Sequence, residues 1–362
     1  MSRTTTAVVS IGAMAHNLSQ VRQRAPGARV WAVVKADAYG HGLLAALRGF
    51  SAADGMALLE FDGAAALRNA GWRRPILMIE GAFDAADVLH AARLSLCLVV
   101  HCEDQLRWLE EHRGAPIDVL LKINTGLNRL GVPAARAAAF HERLRRCGSV
   151  ATLGIMTHFA NADMPGGAAA PLRLFDEASR GLAGERSLAN SAAVLTLPAS
   201  HREWVRPGII LYGATPFSDR SAASFDLRPV MAMTGSVIAV QELAPGDSVG
   251  YGSTFSAPGR MRIGIVDCGY ADGYPRLAPT GTPIAVGGVR TGTVGRVSMD
   301  MTAVDLTGIP QAGVGTAVEM WGATVSVDEV AEQAGTIGYE LLCAVTARVR
   351  REIRTDLLAV AS

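Results

Sequence analysis

Between residues 29 and 212, short apolar and β-branched runs alternate with Ala/Leu/Arg-rich stretches of helical spacing, a pattern that few folds can satisfy. The strand-like runs are Arg29–Lys35, Met56–Leu59, Pro75–Ile79, Ser95–Val100, Ile117–Ile123, Thr152–Thr157, Arg186–Asn190 and Gly208–Tyr212. Stretches between them, such as Gly63–Ala70 and Glu103–His112, are long enough for helices. A strand followed by a crossover helix returns the chain to the same edge, so the strands run parallel. Eight such units predict an α/β fold, a closed (β/α)8 TIM barrel; an open doubly wound sheet begins the same way and is the competing arrangement.

From about Met231 the texture changes to alternating strands with Gly/Pro turns: Thr234–Leu243, Arg262–Val266, Thr282–Val286, Gly292–Val297 and Ala317–Trp321. Helical spacing returns only near Val327–Ala334 and Tyr339–Ala344. This predicts a mainly antiparallel β domain after the barrel. A chain of 362 residues exceeds one ordinary core, which agrees with two domains. The boundary is expected near Arg228, giving a barrel over 1–228 and a β domain over 229–362. The first strand, about 6–11, precedes the barrel and is expected to join the β domain.

Composition excludes several function classes. Hydrophobic residues make up 49% and charged residues 19%, the balance of a packed globule rather than a disordered chain. The net charge of +1 offers no field to draw nucleic acid or an anionic membrane, and neither is an expected partner. The longest basic runs, Arg73-Arg74 and Arg350-Arg351, read as solvated surface. The 5 cysteines, Cys97, Cys102, Cys147, Cys268 and Cys343, form no C-x-x-C pair, which argues against a zinc site or disulfide framework and for a reducing, cytoplasmic setting. Cys268 reads as a small buried filler. Ala13-Met14-Ala15 resembles a signal-peptidase site, but the apolar stretch before it is short and broken by Ser10 and Gly12.

In a barrel, chemistry collects where strands end: here Lys35, Glu60, Glu80, His101, Lys122, His158, Ser191 and Gly208-Ile209. Lys35 follows Val30-Trp31-Ala32-Val33-Val34, so its amine is expected to face a dry interior. Lost hydration favours the neutral amine, the nucleophile that a Schiff base needs. A lysine reaching out to solvent is the equally weighted alternative on this evidence. Tyr39, four residues on, can donate to a phosphate held beside that amine, and a helix is expected to begin near Gly42.

Ala32-Val33-Val34-Lys35-Ala36-Asp37-Ala38-Tyr39-Gly40-His41-Gly42 resembles the pyridoxal 5′-phosphate (PLP) lysine signature of the alanine racemase family. The resemblance continues through Leu121–Gly131, Met156-Thr157-His158-Phe159-Ala160, Leu188–Ala192 and Val205–Ile209. It then runs through Gly250-Tyr251-Gly252, Gly269–Gly273, Gly295–Asp300 and Gly335–Glu340. The order of these motifs is that of the family, over nearly the whole chain.

The resemblance implies a PLP enzyme that interconverts L- and D-alanine with two bases, supplying D-alanine for peptidoglycan or consuming it catabolically. Lys35 would bind PLP and act as one base; Tyr270 would be the other, on the opposite face of the substrate carbon. A free phenol, with a pKa of about 10, is a poor base near neutrality. The family supports it with His158 and Arg206, hydrogen-bonded in a chain. Arg206 would also face the pyridine nitrogen and keep it unprotonated, which disfavours transamination and decarboxylation. The phosphate would rest on Tyr39, Ser191 and the backbone of Gly208 and Ile209. Arg129 would reach the cofactor's phenolic oxygen and the substrate. Lys122, beside it, is a candidate for carbamylation. Met299 would offer its N–H to the substrate carboxylate from the partner chain of a homodimer with shared sites.

Four departures stand out: Asn124 replaces the common Asp, Leu127 replaces Met, Asn128 stands before Arg129, and Ala347 lies where some members carry a phosphate-contacting tyrosine, so one phosphate hydrogen bond is expected to be missing. The rival functions are a PLP carrier, a decarboxylase on the same barrel, and a racemase of broader specificity that also takes serine. Residues 231–362, with Tyr270 and Met299, argue against the carrier, and Arg206 argues against the decarboxylase.

Overall fold

The computed structural model describes residues 3–356, so the outer domain limits at 1 and 362 lie outside the described residues. Eight parallel strands form the first half: Arg29–Val33, Gly55–Leu58, Ile76–Met78, Cys97–Val100, Ile117–Asn124, Val150–Met156, Arg186–Ser187 and Trp204–Val205. Each pairs with the next in chain order, and Trp204–Val205 returns to Arg29–Val33, closing the ring. Closure leaves no sheet edge inside the barrel. Helices fill the crossovers; Glu103–Glu111 buries Leu106 and Leu109 while its charged residues face outward. One seam of the barrel is fixed by Trp31 stacked on Trp204, with ring centroids 4.1 Å apart. Gly55 makes room for it, since a Cβ there would stand 2.2 Å from the Trp31 ring.

The second half is organised by one long strand, Met231–Leu243, which pairs antiparallel with Thr6–Ser10, Met261–Val266 and Ala317–Trp321. Pro283–Val286, Val289–Val294 and Thr302–Asp305 complete the curl. Arg350–Arg354 adds a parallel edge to Thr6–Ser10. Two short helices, Val327–Gln333 and Gly338–Ala344, lie between Ala317–Trp321 and Arg350–Arg354. The first starts on a capping box: Ser326 Oγ accepts from Glu329 N (3.1 Å), and Glu329 Oε2 accepts from Ser326 N (2.9 Å). No helix among the described residues is long and apolar enough to cross a membrane.

One expected strand is not a strand. Gly208–Tyr212 forms a 3-10 turn over Ile209–Tyr212, and the eighth barrel strand lies earlier, at Trp204–Val205. Pro207 has no N–H to extend the ladder. Ile209, Ile210, Leu211 and Tyr212 are all buried, so the turn has the uniform apolarity of a buried strand. Two other runs are shorter than expected. The strand before Lys35 stops at Val33, and Arg186–Ser187 ends where Asn190 caps the helix Ser191–Thr196 by accepting from Ala193 N at 3.1 Å.

Candidate active site

A cavity of about 1360 Å3 opens at the carboxyl ends of the barrel strands. Lys35, Tyr39, Lys122, Arg129, His158, Ser191, Arg206, Gly208 and Ile209 all line it. A barrel brings these side chains together because every strand ends at the same rim.

Lys35 is half-buried rather than dry. The four residues after it, Ala36, Asp37, Ala38 and Tyr39, have φ between 50° and 54°, a left-handed turn made of side-chain-bearing residues. Such a conformation costs about 1–2 kcal/mol per residue. Several contacts offset it. Asp37 Oδ1 accepts from Leu43 N (2.8 Å), and the ring of fully buried His41 bonds through Nδ1 to the carbonyls of Ala38 (2.9 Å) and Tyr39 (2.8 Å). Since Nδ1 faces carbonyls, it carries the proton. Burial, followed by the charge of Arg351, lowers the His41 pKa to about 4, despite the two carbonyl bonds. Gly40 lies against the helix Gly338–Ala344 so closely that a Cβ would stand 2.1 Å from the Leu342 carbonyl. The turn therefore needs the second half of the chain for its shape.

That turn delivers Tyr39 to a cradle. Gly208 N donates to Ser191 Oγ at 2.8 Å, and a Cβ on Gly208 would meet Tyr39 Oη at 2.4 Å and Ser191 Oγ at 3.9 Å. Burial pushes the Tyr39 pKa far up, so its hydroxyl remains a donor.

The opposite wall is cationic. Lys122 is 3% exposed and makes no protein hydrogen bond among the described residues. Burial, then the nearby charges of Arg206 and Arg129, lower its pKa to about 8, with only Glu80 opposing among the neighbours that act on it. Arg206 is buried and donates to Ser187 Oγ (2.7 Å), to the Leu188 carbonyl (3.2 Å) and to the Thr157 carbonyl. These bonds use its two terminal nitrogens and leave Nε without a protein partner among the described residues. Burial lowers its pKa to about 10, so it stays charged near neutrality. His158 is held neutral by burial and by the charges of Arg206, Lys122, Arg129 and Lys35. It makes no hydrogen bond to Arg206; the two are coupled through charge alone. Asn124 shapes the loop to Arg129, its Oδ1 accepting from Gly126 N (3.0 Å) and Asn128 N (3.1 Å), a job open to Asn and Asp alike.

Tyr270 and Met299 do not line this cavity. They sit together elsewhere on the second half, where Tyr270 N donates to the Ser298 carbonyl (3.0 Å) and Ala271 N to the Met299 carbonyl (2.9 Å). Met299 is 53% exposed. Cys268 is fully buried beside them, as a filler.

Two site residues carry no role in the sequence reading. Tyr339 lines the cavity, its ring 6.1 Å from that of Tyr39, and burial raises its pKa so that it keeps its proton. Ala347, where a tyrosine was expected, is exposed and lies outside the cavity. The signal was in Gly335–Glu340, which places an aromatic hydroxyl at the start of an expected helix. His41 is the second, hidden because its work is done on carbonyls.

A family profile described as "Alanine racemase, N-terminal domain" matches residues 9–216, and "Alanine racemase, C-terminal domain" matches residues 230–353. The alanine racemase of Janthinobacterium sp. (strain Marseille) is 51% identical over 355 residues, spanning 97% of this chain and 99% of that protein. The catabolic alanine racemase of Klebsiella aerogenes is 48% identical over 96% of this chain and 99% of its own length. Among solved structures, the biosynthetic alanine racemase of Pseudomonas aeruginosa superposes with a TM-score of 0.94 at 46% identity, covering 97% of this chain and 99% of that one. With a barrel that gathers Lys35, Arg206 and the Tyr39–Ser191–Gly208 cradle, and with both halves matched in order, the chain belongs to the alanine racemase family.

Proposed function

We propose that this chain racemises alanine with PLP, in a site completed by a second copy of itself. The observation that carries the reading is the donor set of the cavity. Four cationic side chains, Lys35, Lys122, Arg129 and Arg206, converge there with a cradle of Gly208, Ser191 and Tyr39. Such a set suits a guest with a phosphate at one end and a phenolic oxygen and ring nitrogen at the other. Bound PLP would withdraw electrons from the α-carbon and acidify its hydrogen.

The chain's own groups do the rest. Tyr39, Ser191, Gly208 and Ile209 hold the phosphate, and Tyr339 restores the hydroxyl that Ala347 cannot supply. Arg129 faces the phenolic oxygen and the substrate carboxylate. Arg206, whose protein hydrogen bonds use its two terminal nitrogens, would face the ring nitrogen with Nε. A guanidinium keeps its proton, so the ring nitrogen would gain none and competing decarboxylation would be disfavoured. Lys35 moves a proton on one face of the α-carbon. Tyr270 of a partner chain moves one on the other, and neutral His158 can hydrogen-bond to its phenol. Met299 of that partner donates its N–H to the carboxylate. Tyr270 and Met299 stand outside the cavity of their own chain, which supports a head-to-tail homodimer with two shared sites.

Incubating the PLP-loaded protein with single L-amino acids and assaying each for its D-isomer, its amine and free PLP tests this reading. D-alanine as the dominant product is expected. D-serine at equal rate would widen the specificity, an amine product would make it a decarboxylase, and no turnover would leave a carrier.

A further inference from the structure

Asp272 lies two residues after Tyr270, and 1% of its surface is exposed. Its Oδ2 accepts from Arg3 Nη2 at 2.7 Å and from Gly269 N at 2.9 Å; its Oδ1 accepts from Arg348 Nε at 2.7 Å. Both guanidiniums reach on to Asp300 Oδ1, Arg348 at 2.7 Å and Arg3 at 3.3 Å. Two aspartates and two arginines thus close a ring. Arg3 also donates to the Asp267 carbonyl at 2.7 Å.

The ring surrounds one segment. Tyr270 sits in the turn Tyr270–Asp272, and Asp300 adjoins Met299, whose carbonyl accepts from Ala271 N. Thr346, two residues before Arg348, donates its N–H to the Asp272 carbonyl at 3.1 Å and its hydroxyl to the Ala271 carbonyl at 2.9 Å. Closing the turn needs only the Gly269 N–H. The guanidiniums come from opposite ends of the chain and do something further: they fix the direction in which the turn points. A buried carboxylate tolerates this position only while its ionic partners stay in place.

We propose that Asp272 is a positioning residue for racemisation, acting with Arg3, Arg348 and Asp300 to hold the Tyr270 phenol in register with the α-carbon. The inference rests on the reading of Tyr270 as the second base. A base displaced by a fraction of an ångström transfers protons slowly, while the cofactor groups on the barrel are untouched.

The test uses the PLP-loaded enzyme and alanine deuterated at the α-carbon, as separate L and D substrates. Enantiomers have equal free energy, so kcat/KM must be the same in both directions and rates alone cannot say which base is affected. Isotope effects can. Asp272→Asn is expected to lower kcat/KM about tenfold or more. The isotope effect should rise for the enantiomer whose proton goes to Tyr270 and fall for the other, with PLP affinity unchanged. Arg348→Gln, at a side chain 39% exposed, should shift the pair of isotope effects the same way, and Arg348→Lys should restore part of the loss. If Asp272→Asn does not fold, the Arg348 pair carries the measurement. A folded variant slowed to any extent, with both isotope effects at wild-type values, overturns the positioning role. Full activity of Tyr270→Phe would instead overturn the two-base reading on which it stands.

Discussion

Gly208 leaves just enough room for the Tyr39 hydroxyl: a single methyl group on its Cα would stand 2.4 Å from Tyr39 Oη. Gly208→Ala should therefore push the phenol out of the phosphate cradle. A hydrogen bond to a charged group is worth about 1.5–3 kcal/mol. PLP affinity should fall about tenfold or more, read by titrating the apoprotein with cofactor. Wild-type affinity would remove Gly208 from the cradle.

Lys122 should take up carbon dioxide. Carbamylation joins the carbon of CO2 to a neutral amine and releases one proton, leaving an anion; starting from the lysine cation, two protons are lost in all. With its pKa lowered to about 8, Lys122 has far more neutral amine in mildly alkaline solution than a surface lysine. Labelled bicarbonate should give a carbamate signal by NMR that grows as pH rises through about 8 and is absent in Lys122→Ala. The product would neutralise the wall beside Arg129 and Arg206. A spectrum without this signal at every pH would end the idea.

Mixing two inactive variants, Lys35→Ala and Tyr270→Phe, should restore activity. In a mixed dimer one shared site carries both defects and the other carries none. Random exchange makes half the dimers mixed, so roughly a quarter of wild-type activity should return by the twofold count. Differently tagged chains confirm the exchange. Exchange without recovered activity would place Lys35 and Tyr270 in the same chain's site.

His41 should make the protein acid-sensitive. Its pKa is lowered to about 4 in the folded chain, against an ordinary value of 6.5. The unfolded chain then binds the proton first, so this contribution is intact above about pH 6.5 and is lost as pH falls towards 4. The difference is worth about 3 kcal/mol. Stability curves from urea unfolding, compared between wild type and His41→Asn, should diverge with pH over that window by one proton. Parallel curves would refute the buried neutral histidine.

The barrel was legible because alternation of apolar and helical runs forces parallel pairing, and the second domain because its periodicity drops to two. Lys35, Lys122, His158 and Ser191 were expected at the cavity because a barrel collects its strand ends, Tyr39 by its spacing from Lys35, and Arg206 only through the family resemblance. The left-handed turn after Lys35 was not: Ala36 and Ala38 have no preference for positive φ and a lone Asp37 does not signal a four-residue turn, and the contacts that impose it come from His41 and, far along the chain, from Leu342. Gly208–Tyr212 misled because burial on every side gives a turn the composition of a strand. Tyr339 escaped for a related reason, since its place in the cavity depends on a helix of the second half packing on the barrel turn.

Thr6–Ser10 lies between Met231–Leu243 and Arg350–Arg354, and neither neighbour is nearby in sequence. On a ribosome adding about 5–20 residues per second, this strand emerges long before Met231–Leu243 and waits longer still for Arg350–Arg354. The barrel can collapse during synthesis; the sheet that carries Tyr270 cannot finish until Arg350–Arg354 arrives. A nascent chain halted before Arg350 would therefore leave one edge of Thr6–Ser10 unpaired, open to pairing with any other edge it meets.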